Sequence, residues 1–300
     1  MNQRSAPVAR GDLVAVISPS GPSPAEHIRA GVARIEARYR VRLDHRACAA
    51  RGYLAGSDRD RGEGLLDALR DRSVRAVICT RGGFGATRIV EQFSDEIERA
   101  LRADPKPIVG FSDVTALHAL WSKVGVRSVH SAMVARIGTP DAVDDDALAQ
   151  WFDAIEGRTA PMQAERFALG GAFEGRAAGG NLAVLAALAG TPAAASFEGC
   201  AVFLEDVGER PYRVDRMLTQ LRASGGFASV AGFVLGEWRD CSPGPDGTNV
   251  EEVLVEGLRG LGAPVVLGAP FGHGDRNAPF ELGARVSVSD ACRLVWSCDS

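Results

Sequence analysis

From Leu13 to about Phe152, short β-branched runs alternate with segments whose apolar residues recur at helical spacing, and this alternation restricts the fold more than any other feature. The candidate strands are Leu13–Ile17, Val74–Cys79, Pro107–Phe111 and Val126–His130. Between them Ile28, Val32 and Ile35 fall at i, i+4 and i+7, while Val114, Leu117 and Trp121 fall at i, i+3 and i+7, so each set lines one face of a helix. Runs this uniformly apolar belong in a parallel sheet covered on both faces. The expectation is an α/β protein whose N-terminal domain carries a Rossmann-like or flavodoxin-like parallel sheet.

Between Glu156 and Gly175 the periodicity lapses into Gly, Pro and mixed polar residues, which suggests a crossing between domains. A chain of 300 residues favours two modest domains over one. The spacing predicts a first domain over 1–165 and a smaller, mixed α/β domain over 166–300. In the latter the candidate strands are Ala201–Leu204, Val230–Gly236, Val265–Gly268 and Ala284–Val288. Its clearest helix is Arg213–Arg222, where Val214, Met217, Leu218 and Leu221 form one apolar stripe after Pro211.

Charge and composition exclude several functions. Lys and Arg number 34 against 38 Asp and Glu, a net charge of −4, so no basic surplus exists to neutralise a phosphate backbone, and nucleic acid is not an expected partner. The first apolar stretch, Leu13 to Ile17, follows Arg4 and Arg10 but is too short for a secretory core, and Leu182 to Ala189 is far below a membrane span of roughly 20 residues. A cytoplasmic address away from membranes is the expectation. Six cysteines, at 48, 79, 200, 241, 292 and 298, stand singly without C-x-x-C spacing, so reduced thiols are expected, with neither a metal nor a cofactor.

Four constellations can carry chemistry. In Pro107-Ile-Val-Gly-Phe-Ser112-Asp-Val-Thr115 an apolar strand runs into a helix with a serine at the junction. Such a serine suits an N-cap. The same turn also suits a nucleophile elbow, with the Asp113 amide facing a developing oxyanion; Gly110 fits G-x-S-x-G, but Val114 replaces its second glycine. Thr80-Arg81-Gly82-Gly83-Phe84-Gly85 is a glycine-rich strand-to-helix turn. It matches neither nucleotide fingerprint, and it is read as a structural turn, a phosphate cradle in a non-enzymatic nucleotide or sugar-phosphate binding protein, or the second oxyanion donor.

In Ala201-Val-Phe-Leu-Glu205-Asp-Val-Gly-Glu209 acids appear at the carboxyl end of an apolar strand, where open α/β sheets build sites, although solvated loop acids look the same. The aperiodic loop Gly268-Ala-Pro-Phe-Gly-His273-Gly-Asp-Arg-Asn277 holds a histidine between two glycines, placed to shuttle a proton near neutrality or simply exposed in a turn. Of the other histidines, His118 reads as packing, His27 and His45 as surface, and His130 as a possible substrate contact. His273 is the candidate general base by elimination.

With Ser112, Glu205 and His273 in chain order, the sequence resembles the LD-carboxypeptidase family of serine peptidases, which includes the microcin C immunity peptidases. The resemblance runs from Gly11-Asp-Leu-Val-Ala-Val-Ile-Ser-Pro-Ser-Gly through Arg81-Gly-Gly-Phe-Gly and Gly110-Phe-Ser-Asp-Val-Thr. It continues in Gly180-Asn-Leu, Gly190-Thr-Pro, Phe203-Leu-Glu-Asp-Val-Gly-Glu, Pro211-Tyr-Arg-Val-Asp-Arg-Met-Leu and Gly272-His-Gly-Asp. One departure is His130-Ser131-Ala132, where the family usually has His-Gly-Pro.

What the resemblance implies is a two-domain α/β enzyme, commonly a homodimer, that cleaves between an L-centre and a C-terminal D-amino acid, releasing D-Ala from murein tetrapeptides in peptidoglycan recycling. Ser112 would be the nucleophile, His273 the acid and base, and Glu205 the carboxylate that orients the imidazole. The amides of Asp113 and Gly83 would form the oxyanion hole. Arg81 or Arg276 would hold the terminal carboxylate, with Gly82 and His130 among the substrate contacts. The alternative is an immunity-type peptidase acting on peptidyl or aminoacyl nucleotides. The roles of Asp206 and Glu209 stay open.

Overall fold

The computed structural model describes residues 7–297, so Arg4 and Cys298 lie outside the described residues. The chain divides into two compact units, the first running to Thr159 and taking in Pro279–Glu281, the second comprising Ala160–Ala278 and the residues from Leu282 onward.

In the first unit the elements follow as β1 (Leu13–Ile17), α1 (Ala25–Ile35), β2 (Arg40–Leu43), α2 (Asp58–Arg70), β3 (Val74–Cys79), α3 (Ala86–Ala103), β4 (Ile108–Gly110), α4 (Thr115–Val124), β5 (Ser128–His130), α5 (Val134–Ile137) and α6 (Asp145–Ile155). β1 pairs in parallel with both β2 and β3, and β4 pairs in parallel with β3 and β5. The strand order 2-1-3-4-5 is the flavodoxin-like doubly wound one, so the expected fold class holds. Its central strands are buried over nearly all their length, as both-face coverage requires: Val14, Val16, Ala76, Ile78, Val109 and Val129 pack with Ile28 and Ile35 of α1 and Trp151 and Phe152 of α6. Each valine or isoleucine side chain so removed from water contributes roughly 1.5–3 kcal/mol.

Two of the predicted strands shorten here: Pro107–Phe111 keeps only Ile108–Gly110, and Val126–His130 keeps Ser128–His130. The reason is local: Pro107 has no N–H for a ladder, and Val126 closes the α4 turn by donating to the Trp121 carbonyl at 3.0 Å.

In the second unit come β6 (Met162–Gln163), β7 (Arg166–Leu169), β8 (Phe173–Asn181), α7 (Leu182–Leu188), β9 (Cys200–Val207), α8 (Pro211–Ala223), β10 (Gly232–Arg239), α9 (Val250–Arg259) and β11 (Val265–Leu267). β12 (Phe280–Leu282) joins the first sheet beside β5, and β13 (Arg285–Val288) and β14 (Arg293–Ser297) complete the second sheet. That sheet is mixed, with order β6-β14-β13-β8-β9-β10-β11-β7, parallel from β8 through β11 and antiparallel outside. The stripe of α8 is core: Val214, Leu218 and Leu221 pack with Leu254 and Leu258 of α9 and with Val202, Leu204 and Phe233 of the sheet. β10 runs three residues beyond the predicted Gly236 because its register shifts after Leu235 and re-pairs Trp238 and Arg239 with Asp206 and Val207. Among the described residues no helix is long and apolar enough to cross a membrane, and Cys48, Cys79, Cys200, Cys241 and Cys292 are free thiols.

Candidate active site

The parallel strands of the first unit end together, so the loops after β1, β3 and β4 crowd one edge of the sheet. Gly21 N–H donates to the Gly82 carbonyl at 3.0 Å, tying the first two loops. Ser112 opens a short 3-10 turn, Ser112–Val114, that leads into α4, and its φ of 61° lies in the left-handed region. For a residue with a Cβ this conformation costs on the order of 1–2 kcal/mol, and such strain persists only where surrounding structure enforces it. Ser112 is not the capping residue, because Phe111 and Val114 hold the cap positions of the 3-10 turn and of α4.

Gly82 explains how the two loops approach so closely. A Cβ added there would lie 2.9 Å from Ser112 Cβ, 3.1 Å from Ser112 Oγ and 3.3 Å from the Asp113 nitrogen. Only a glycine lets the backbone of the β3 loop rest against the serine turn.

The Asp113 side chain adds a second tie that reasoning on its backbone alone missed. Its Oδ2 accepts the Ala86 N–H at 2.8 Å, which caps the first turn of α3 where Gly85 offers no side chain of its own. Burial pushes the Asp113 carboxyl above its ordinary pKa. Arg61, fully covered at its side chain, donates to the Gly85 carbonyl at 2.9 Å and to the carbonyl of Pro19, and is paired with Asp58. The serine turn, the glycine turn and the β1 loop are thus braced by one buried carboxyl and one buried guanidinium.

Two histidines lie behind this edge. His118 is buried with Nε2 2.9 Å from the Gly110 carbonyl, and burial lowers its pKa to about 4, so it is a neutral donor that fixes the strand end before Ser112. His130 is fully buried, its ring stacked on Phe280 at 4.8 Å between centroids and tilted toward Phe111 at 5.6 Å. Arg81 and Gly83 are exposed, and the Arg81 guanidinium donates to the Pro22 carbonyl at 3.0 Å.

In the second unit the structure brings Glu205 and His273 together. Nδ1 of His273 lies 2.6 Å from Oε2 of Glu205, whose side chain is wholly buried near the end of β9, whereas the histidine side chain keeps 19% of its surface. A buried carboxylate in this position fixes the tautomer: Nδ1 carries the hydrogen and Nε2 is left as the basic atom. The loop holding the imidazole is closed by Asn277, whose Oδ1 accepts the Gly272 N–H at 3.1 Å.

Behind Glu205, Asn181 donates to Asp206 Oδ1 at 2.9 Å and reaches Glu205 Oε1 at 3.4 Å, while its own Oδ1 caps α7 by accepting the Val184 N–H. Asp206 also accepts the N–H groups of Ala183 and Val207, and burial raises its pKa to about 6. Its role is therefore structural, holding the start of α7 against β9. In the sequence Asn181 belongs to Gly-Asn-Leu, and the signal for its role is an Asn immediately before an apolar helical run. Glu209 faces Arg213 at 3.8 Å, and Arg276 is exposed on the histidine loop.

Comparison with known proteins assigns the chain to a family. Residues 14–131 match the model of the LD-carboxypeptidase N-terminal domain and residues 174–288 that of the LD-carboxypeptidase C-terminal domain. The chain belongs to the LD-carboxypeptidase family and is a serine-type peptidase, a hydrolase.

It is 30% identical to the murein tetrapeptide carboxypeptidase of Pseudomonas aeruginosa, over 87% of this chain and 83% of that one. Among solved structures it is similar to a muramoyltetrapeptide carboxypeptidase from Oxalobacter formigenes, with TM-score 0.81 and 28% identity over 94% of this chain and 97% of that one. A microcin C7 self-immunity protein in complex with aspartyl sulfamoyl adenosine shares the fold at TM-score 0.84 and 20% identity, each chain covered to 98%.

Proposed function

We propose that this enzyme hydrolyses the L,D-peptide bond before the C-terminal D-alanine of a murein tetrapeptide, through a Ser112–His273–Glu205 triad. The observation that carries the reading is the pair of half-sites: a serine held at positive φ in a strand-to-helix turn, and a histidine whose Nδ1 is fixed by a buried glutamate. In the reaction Nε2 of His273 takes the Ser112 proton as Oγ attacks the scissile carbonyl carbon. The carbonyl oxygen then carries the negative charge, received by the backbone N–H groups of Asp113 and Gly83, each contributing on the order of 3 kcal/mol.

Collapse of the tetrahedral species breaks the C–N bond, and the imidazolium returns its proton to the departing amine. Free D-alanine leaves behind an acyl ester on Ser112. Water, deprotonated by the same imidazole, attacks that ester and restores the serine. Glu205 stabilises the imidazolium throughout without taking its proton. Arg81, exposed beside Gly82, receives the terminal carboxylate that marks the substrate as a C-terminal residue, with Arg276 the second candidate. His130 acts from behind, through its stack with Phe280.

The substrate class follows the relatives at 28–30% identity, whose names carry murein and muramoyl tetrapeptides. Such a substrate fits a cytoplasmic enzyme of peptidoglycan recycling, and the homodimer is what the family resemblance implies. The test is a direct competition between a murein tetrapeptide and an aminoacyl sulfamoyl adenosine. Faster hydrolysis of the tetrapeptide supports the reading, and faster hydrolysis of the nucleotide conjugate replaces it with the immunity-type activity.

A further inference from the structure

At the carboxyl edge of the first sheet the loops after β1, β2 and β3 line an open pocket of about 570 Å³ formed by Gly21, Pro22, Tyr53, Arg81, Gly83 and Phe84. Its place is determined by topology. The chain leaves β1 toward β2 on one side, while β3 lies on the other, and the crevice between the ends of β1 and β3 is where sheets of this order take their ligands. Gly83 forms part of the wall, and its neighbour Gly82 is packed against Ser112. The pocket therefore opens beside the serine turn.

Its lining is chemically specific. Tyr53 is 67% exposed and Phe84 45% exposed, and their rings lie 6.0 Å apart at 59°. Rings of this size are usually buried, and two left in solvent on one pocket call for a partner. Arg81 stands beside them, using one of its five N–H groups on the Pro22 carbonyl. The lining thus pairs a cation with two aromatic faces. That combination fits a ligand carrying a carboxylate on the same carbon as an apolar or planar group.

We infer that this pocket receives the side chain of the leaving C-terminal residue, and that the enzyme releases large aromatic D-amino acids such as D-Phe as well as D-Ala. The inference rests on the serine peptidase reading above and extends it to the residue being removed. Arg81 holds the terminal carboxylate, and the D-configured α-carbon then directs its substituent against the rings of Tyr53 and Phe84. A methyl group uses little of this space, because pockets of roughly 300–1,000 Å³ take ligands of many atoms. A phenyl ring instead meets both aromatic faces at the centroid separations, roughly 4.5–7 Å, that rings prefer.

The experiment measures kcat/KM for two tetrapeptides that differ only in ending with D-Ala or with D-Phe, using the wild-type enzyme, Phe84→Ala and Tyr53→Ala, with thermal melts as a folding control. The expected result is hydrolysis of both peptides by the wild type. Each variant should lose roughly tenfold more on the D-Phe peptide than on the D-Ala peptide, a discrimination typical of a filled apolar pocket. Cleavage of the D-Ala peptide with none of the D-Phe peptide overturns the inference and leaves the peptidase reading intact. Equal losses on both peptides in folded variants also overturn it. Cleavage of neither peptide by folded wild-type enzyme overturns the peptidase reading, and the inference falls with it.

Discussion

His273 Nδ1 lies 2.6 Å from the Oε2 atom of Glu205, a carboxylate with no solvent exposure. That contact makes Nε2 the basic atom of the imidazole. Glu205→Gln keeps the shape but presents either a carbonyl or an amide to Nδ1, so the tautomer is no longer enforced. The expected outcome is a loss of roughly a thousandfold or more in kcat, with little change in KM, read from steady-state kinetics on a tetrapeptide.

Gly82 and Ser112 define the second prediction. A methyl at residue 82 would press to 2.9 Å on Ser112 Cβ, against a backbone that has little room to retreat. Gly82→Ala should therefore fold yet lose about a hundredfold in kcat, the penalty expected when a reacting group is displaced by about an ångström. Gly11, which meets nothing within 4 Å but has a φ of 86°, supplies the contrast: Gly11→Ala should cost stability and leave kcat as it is.

Asp113 links the serine turn to α3 through the Ala86 N–H at 2.8 Å. Asp113→Ala removes a helix cap and should destabilise the protein by about 0.5–2 kcal/mol in urea titration. It should also lower kcat, since both proposed oxyanion donors belong to the turns this carboxyl joins. Asp113→Asn keeps an acceptor for the amide and should recover most of both losses.

Glu156 gives a prediction in pH. Hydrogen bonds from Arg38 at 2.6 and 2.7 Å, with further ones from Arg158 and Tyr39, bring its carboxylate pKa down to about 2 from an ordinary 4.5. A carboxylate with a lowered pKa binds fewer protons folded than unfolded, so its contribution is complete above about 4.5 and is lost as pH falls toward 2. Glu156→Gln should lower the melting temperature at pH 7, and the gap from wild type should close between pH 4.5 and 2.

Much of the fold was legible because its strands are apolar on both faces and its helices keep one stripe, as Val14, Val16 and Ile78 against Ile28 and Ile35 show. Strand ends were less legible. They depend on hydrogen bonds such as Val126 to Trp121 and on the register shift after Leu235, neither of which leaves a pattern in side-chain polarity. In the site, Glu205 and His273 each stand out chemically against their surroundings, but their pairing came only with the family resemblance. The Asp113, Arg61 and Asn181 ties were not, because each resembles an ordinary helix residue or cap until the tertiary structure brings its partner alongside. Phe84 stands within a glycine turn with nothing in the sequence to mark it, and only its exposure beside Tyr53 gives it a role.

The most direct test of the account is to incubate a defined murein tetrapeptide with the purified enzyme and with Ser112→Ala, and to detect released D-alanine by mass spectrometry. Stoichiometric D-alanine from the wild type, with a rate at least about a thousandfold lower in a variant that melts normally, is the predicted result. Release of D-alanine by Ser112→Ala at a rate close to wild type would contradict it.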